Sequence, residues 1–387
     1  MVSVSRHIVL LQSDGNCRAE GPNDLGKCDI PPLPEGLSYT QVSAGEDHTV
    51  LLRSDGSVVA CGNAFWGHCN IPPLEQGVRY TQVSAGATHT VLLRSDGRAV
   101  AFGRNFEEQC NIPPLDEGMS YIQVSAGGYN TMLLRNDGAA VPCSRYAKKW
   151  KIPALDHGLS YTQISSSMYH TVLLRSDGTA VACGEMRPGD DYGGHFNIPP
   201  LEEGMSYTQV SAGADCTVLL RRDGRALACG DNTNGQCNIP PLDAGTFYTQ
   251  ISAGEQGTLL LRSDGCAVAC GAGFDEHGTF LQPEPGICYV SEFTTLAEDL
   301  VLQLDLVCED HAVVLTCLGL AGEEVLRLNV IDSELAWDTH KRIARELNFA
   351  LARLRLVLPD GQLLAEVCRG NPVASISDVS KTRERIP

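Results

Sequence analysis

The chain has 387 residues, 29 Lys and Arg against 47 Asp and Glu, a formal charge of -18 and 43% hydrophobic residues. This is globular composition, enough for one large core and a small second domain, and the surplus of acids argues against direct nucleic-acid or anionic-membrane binding. No apolar run reaches the ~20 residues of a membrane helix. The opening MVSVSRHIVLLQSDG lacks the layout of a secretory leader, and 16 cysteines without one predict free thiols in a reducing compartment. The expected address is cytoplasmic, with the nucleus as the alternative.

From the N-terminus the chain repeats itself. S-D-G or a close variant recurs with its glycine at Gly15, Gly56, Gly97, Gly138, Gly178, Gly224 and Gly265, at spacings of 41, 41, 41, 40, 46 and 41 residues. Within the second copy, residues 41–44 and 48–53 read as strands around the Gly45 turn. Ser54-Asp55-Gly56 makes a hairpin into a third strand at 57–61, and a short fourth is expected near 69–71 before Pro72-Pro73 ends pairing. Four short strands per repeat and seven repeats predict a mainly β fold, a seven-bladed β-propeller over residues 1–285.

The pattern SAGxxHTVLLRSDGxxVACGxNxxGQC, approximated by residues 84–110 and 211–237, resembles the repeat of the regulator of chromosome condensation. The N-I-P-P tail with its acidic linker is similar to a variant found in a bacterial β-lactamase inhibitor protein. The resemblance implies a seven-bladed propeller and leaves function open, because this scaffold hosts exchange factors, ligase-associated modules and inhibitors alike. The first copy lacks the Tyr-Thr-Gln that opens the others. The stretch 287–291, ICYVS, echoes it and is expected to pair with the first blade and close the ring.

Residues 286–311 read as a linker with an extra strand, and 312–387 as a small α+β domain. Strands are expected at 312–318 and 325–331, a helix from Ser333 to about Asn348, and a hairpin at 354–364. That order resembles the ubiquitin-like β-grasp, with RLVLPDGQL matching the segment of the apolar recognition patch, so Arg355 and Val357 are the implied contact residues. The domain lacks a terminal Gly-Gly, which predicts that it is not conjugated to targets. Its last strand is also missing. Residues 299–307 are expected to take that strand's place in the sheet, and a truncated domain is the alternative.

Candidate chemistry is thin. His7, His48, His89 and His170 share one repeat position on separate blades and read as structural, holding the adjacent turn. The cysteines are locked to strand ends and read as small buried hydrophobes. Phosphate-loop, zinc-protease and nucleophile-elbow signatures are missing, and a HECT-type ligase domain does not fit in the remaining hundred residues. No catalytic residue, metal site or cofactor is expected, and the chain is read as a monomer without enzymatic activity.

What differs between copies is one face of the disc, where the first-to-second and third-to-fourth connections meet. Its turns carry Tyr129, Met168 and Tyr169, its loops Phe65, Trp66, Phe106, Tyr146, Tyr192 and Phe274, and blade five has an insertion over 185–195. Aromatics set among acids on a rigid scaffold are the pattern of an interface hot spot. Arg145, Lys148, Lys149 and Lys151 form the dense basic run, while Trp150 falls at a repeat-cysteine position and is read as core. The resulting expectation is a protein-interaction adaptor. Its partners would be ubiquitin-ligase or proteasome components through the small domain. The alternatives are nucleotide exchange on a small GTPase, for which 185–195 is the candidate wedge, and an enzyme inhibitor.

Overall fold

The computed structural model describes residues 2–23, 25–146, 150–184, 194, 196–271, 279–281, 300–309, 312–318, 324–330 and 354–357; from 279 onward it describes the backbone. The chain divides into two compact units, Met1–Phe293 and Thr294–Pro387. No helix among the described residues is long and apolar enough to cross a membrane.

The first unit consists of seven antiparallel blades. Blade one is Val2–Val4, Ile8–Leu11 and Cys17–Glu20; blade two is Tyr39–Ala44, His48–Arg53 and Val58–Gly62; blade three is Tyr80–Ala85, His89–Arg94 and Ala99–Gly103. Blade four is Tyr121–Ala126, Thr131–Arg135 and Ala140–Cys143; blade five is Tyr161–Ser166, His170–Arg175 and Ala180–Gly184; blade six is Tyr207–Ala212, Cys216–Arg221 and Ala226–Gly230. Blade seven adds a fourth strand to the pattern: Tyr248–Ala253, Gly257–Arg262, Ala267–Gly271 and Thr279–Leu281.

The expected fourth strand near 69–71 is therefore not formed. In its place Asn70 N–H donates to Gly67 O and Ile71 N–H to Cys69 O, local turns that consume the donors a ladder would need, and the prolines that follow have none. The segment docks by side chains instead. Ile71 and Leu74 pack on the core between blades two and three, and the phenol of Tyr80 donates to Pro72 O at 2.9 Å. The same tyrosine-to-proline bond recurs at Tyr39, Tyr121, Tyr161, Tyr207 and Tyr248.

Period-two alternation explains why the core lies between blades. In the middle strand of blade two, Leu51 packs with Val9, Leu11 and Val42 against blade one, while Val50 and Leu52 pack with Tyr80, Val83 and Leu92 against blade three. Polar groups follow the same alternation. Gln41 Oε1 accepts from Val83 N–H at 2.6 Å and Ser43 Oγ from Ala85 N–H at 2.9 Å, so each inner strand is hydrogen-bonded to the next.

The repeat histidines bridge blades as well as covering their own turns. His48 Nε2 meets Thr90 Oγ1 at 2.9 Å, and the ring lies over Gly45, where a Cβ would come within 2.6 Å of Nδ1. Equivalent contacts join His7 to Thr49, His89 to Thr131 and His170 to Thr217. Thr90 itself donates to His68 O, so it accepts from a histidine protonated on Nε2. Burial lowers His7 and His89 to about 4 and His48 well below its usual value, which keeps the rings neutral.

The ring closes through Val2–Val4, whose Val4 N–H donates to Ser252 Oγ at 3.2 Å and whose neighbours Ile8 and Leu10 pack on Leu259 and Leu261. The stretch 287–291 lies outside the described residues. Trp150 is 5% exposed and lies in the core between blades four and five, filling the place of a cysteine.

In the second unit, Glu324–Val330, Ala312–Leu318, Leu300–Glu309 and Leu354–Val357 form one sheet in that order. Leu300–Glu309 is antiparallel to Ala312–Leu318 and parallel to Leu354–Val357. It thus occupies the place between them. The helix expected from Ser333 and the second half of the final hairpin lie outside the described residues.

Candidate functional site

In blades two, three and six the connections on one face of the disc are held by backbone bonds within the blade. Asn63 N–H donates to Asp47 O, Arg104 N–H to Thr88 O and Asp231 N–H to Asp215 O, at 2.8, 2.9 and 2.9 Å. Each outer loop is thereby tied to the turn between inner and middle strands. The loop of blade three is then closed on itself: Asn105 Oδ1 accepts from Cys110 N–H, Asn105 Nδ2 donates to Asn111 Oδ1, and the Cys110 thiol donates to Arg104 O. Buried Gln109 accepts from Glu107 N–H through Oε1, and its carbonyl accepts from Thr131. Such a loop is a rigid mount for its tip.

The tips are aromatic over blades two to four. Phe65 is 79% exposed, Phe106 60%, Tyr129 39% and Trp66 38%. Phe65 and Trp66 meet edge to face with centroids 5.0 Å apart, and Trp66 meets Phe106 at 5.4 Å. The guanidinium carbon of Arg104 lies 5.1 Å from the Phe106 ring centre, 5.3 Å from Tyr129 and 5.9 Å from Trp66. Three loops from three blades therefore surround one cation, a favourable arrangement for a guanidinium over aromatic faces.

Of the residues expected on this face, Phe65, Trp66, Phe106 and Tyr129 come together in that cluster. Tyr146, 37% exposed, belongs to the next loop, which docks on blade three through Arg145 N–H to Glu107 O and an Arg145–Glu107 ion pair at 3.7 Å. Met168 and Tyr169 are half-buried and line a recess of about 140 Å³ with Asp215, Asp231 and Glu255, with Met168 also against Gly128. Tyr192, Phe274, Lys148 and Lys149 lie outside the described residues, and the wedge candidate 185–195 falls almost wholly there. Arg355 and Val357 lie in the strand Leu354–Val357, at the edge of the second unit's sheet.

Arg104 was not singled out by the sequence. Its repeat position holds Asn63 and Asp231 in other copies, so the residue type carries no pattern. Glu108 is a second such residue. It has φ 63° where Gly67 and Gly235 have 76° and 78°, the left-handed region that a side chain makes costly.

The rest of the face is acidic. Glu46 and Asp47 surround buried Lys27, whose ammonium donates to Glu46 O and lies 3.9 Å from Asp47. Arg6 joins Glu255 at 2.6 Å and Glu46 at 3.7 Å. Burial pushes the Glu46 carboxyl up. Among the described residues no three metal-ligating side chains converge. The described cysteines are free thiols, and burial lifts most of them, Cys61 and Cys110 to about 12, which leaves them poor nucleophiles.

Residues 39–64, 80–109 and 207–236 match the regulator of chromosome condensation (RCC1) repeat. No curated protein matches the chain in sequence. Among solved structures, the CRINKLY WD40 ectodomain of the Arabidopsis thaliana receptor kinase ACR4 superposes with a TM-score of 0.54 at 18% identity, over 72% of this chain and 96% of that one. Prp20p from Saccharomyces cerevisiae, a protein with binding properties towards Gsp1p and histones, gives 0.54 at 16% identity, over 73% and 83%. The ectodomain of the Physcomitrella patens receptor kinase CR4 gives 0.54 at 17%, over 71% and 73%. At these identities the likeness is one of fold: the first unit is a β-propeller built from repeats of the RCC1 type.

Proposed function

We propose that this chain is a non-catalytic adaptor that binds a protein partner on the loop face of its propeller, across blades two to four. The observation that carries this reading is the cluster of Phe65, Trp66, Phe106 and Tyr129, large exposed apolar rings on rigid loops of an otherwise acidic face. Water gains from being displaced from such a patch, and rings fixed in place lose little entropy on binding. The general kind of partner accords with the fold likeness to Prp20p, whose own partners are proteins. A cytoplasmic, reducing setting belongs to the same reading, supported by the free buried thiols.

The second unit is proposed to be a ubiquitin-like β-grasp that addresses ubiquitin-pathway machinery. Support comes from the resemblance of RLVLPDGQL; the strand Leu300–Glu309 fills the sheet position between Ala312–Leu318 and Leu354–Val357, in the direction opposite to a β-grasp last strand. The second functional reading is nucleotide exchange on a small GTPase, favoured by the fold likeness to Prp20p.

Affinity purification of the full chain against a Trp66→Asp/Phe106→Asp variant tests the adaptor reading. Proteins retained by the wild type should be lost by the variant, and identical sets would sink it. Removal of 294–387 should lose ligase or proteasome components while keeping the face partner. A fluorescent-GDP release assay with each captured GTPase should show no acceleration; acceleration would install the exchange reading instead.

A further inference from the structure

Resting on the docking reading above, the geometry points to Arg104 as the anchor for a single carboxylate of the partner: we infer that the face recognises a peptide segment carrying an Asp or Glu close to a large apolar residue. Among the described residues, the other arginines of this face already have acids. Arg6 is joined to Glu255 and Glu46, and Arg145 to Glu107. Among the described residues Arg104 has ring contacts and no carboxylate or hydrogen-bond acceptor for its guanidinium, and its Nε is buried without a partner. On a face rich in acids, a cation left without one is unmatched.

The surroundings define what fits. Trp66, Phe106 and Tyr129 pin the guanidinium plane and displace water from it, which strengthens an incoming charge-assisted bond and spares the arginine the loss of rotamer freedom. The most exposed rings, Phe65 and Phe106, offer the apolar contact beside it. The Arg104 guanidinium suits a monoanion better than a dianion such as a phosphate, because it is a single cation while Glu107 and Glu108 stand on the same loop. The strained backbone of Glu108 sits two residues beyond Phe106. Retained strain of this kind concentrates where a loop must hold a particular shape for binding.

The experiment is a random-peptide display selection on the full chain, followed by affinity measurement of the best synthetic peptide on the wild type, Arg104→Lys, Arg104→Gln and Arg104→Glu. The melting curve of each variant confirms that it is folded. Selected peptides should share an acidic residue next to an apolar one. Arg104→Gln should weaken binding by about tenfold or more and Arg104→Lys by less, because an ammonium keeps the charge and loses the fork. Arg104→Glu should abolish it, and changing the peptide's acid to lysine should restore affinity to Arg104→Glu alone.

Peptides that need Phe65 and Phe106 but bind Arg104→Gln as well as the wild type would overturn the carboxylate anchor and leave the docking face standing. Selection of peptides without acids would overturn it equally, as would tighter binding of the synthetic peptide when its acid is replaced by phosphoserine. A selection that yields no peptide sensitive to Phe65→Asp/Phe106→Asp would overturn both.

Discussion

The seam between blades two and three and the seam that closes the ring between blades seven and one perform the same task with different chemistry. The first is stitched by neutral bonds, His48 to Thr90, Gln41 to Val83 and Ser43 to Ala85, over a core that includes Tyr80 and Leu92. At the second the described bond is the serine one, Val4 N–H to Ser252 Oγ. Gly257 stands where the histidine would be and Ile8 where the threonine would be, and the smaller core contains Ala267 and Ala269. Its substitute is the exposed ion pair of Arg6 and Glu255. Here both partners are replaced, whereas Thr258 persists opposite Cys216 because its hydroxyl donates to Gln236 O.

Core truncation should separate the two seams most strongly. Leu92→Ala is expected to cost about 3 kcal/mol in urea unfolding, and Leu259→Ala somewhat less because small neighbours let the site collapse. In native-state amide exchange, Leu259→Ala should speed exchange at Val4 and leave Val83 unchanged. Equal acceleration at both would erase the distinction.

Acid should loosen the histidine seams next. A histidine whose native value is lowered stabilises fully above its unfolded value of 6.5, and that stability is lost as pH falls toward about 4, because the unfolded chain takes up protons the native rings refuse. Unfolding free energy should therefore decline by a few kcal/mol over this window. His89→Asn, which installs the residue found at Asn130, should flatten part of the decline; an unchanged slope would mean other groups govern it. The carboxylate of Asp55, held low by the N–H of Ser57, titrates below its ordinary value and does not confuse the reading.

Salt should act on the closing seam. Arg6→Ala is expected to cost about 0.5–1 kcal/mol at low ionic strength and close to nothing at high ionic strength. A loss of the same size at both would show that Arg6 acts by packing. The smallest effect belongs to the blade-three loop, where Glu108→Gly should raise stability by about 0.5 kcal/mol by relieving its φ of 63°. A fall in melting temperature would show that the side chain has a contact worth more than the strain.

The repeat, the strands and the burial of Trp150 were legible because each depends on local periodicity and on comparison between copies. The fourth strand was over-read, since an apolar residue beside a turn looks like a strand end until Ile71 is seen spending its N–H on Cys69. The histidines were read as holding their own turns, whereas Nε2 bonds threonines about one repeat away that come into reach only through the stacking of blades. Arg104 was invisible for a related reason. Three rings from three blades give it meaning, and no window of sequence contains them together.

The closing strand also sets an order of assembly. The regular seams join residues about 42 positions apart, whereas Val4 and Ser252 are 248 apart. Closing that longer loop costs about 1.5 kcal/mol more in chain entropy, and it must wait for every intervening blade. During synthesis blade one leaves the ribosome long before blade seven exists. Until then the nascent disc is an open arc with an apolar blade face uncovered at each end, and the interval in which it can bury that face on a wrong neighbour is set by the time taken to translate the five blades between them.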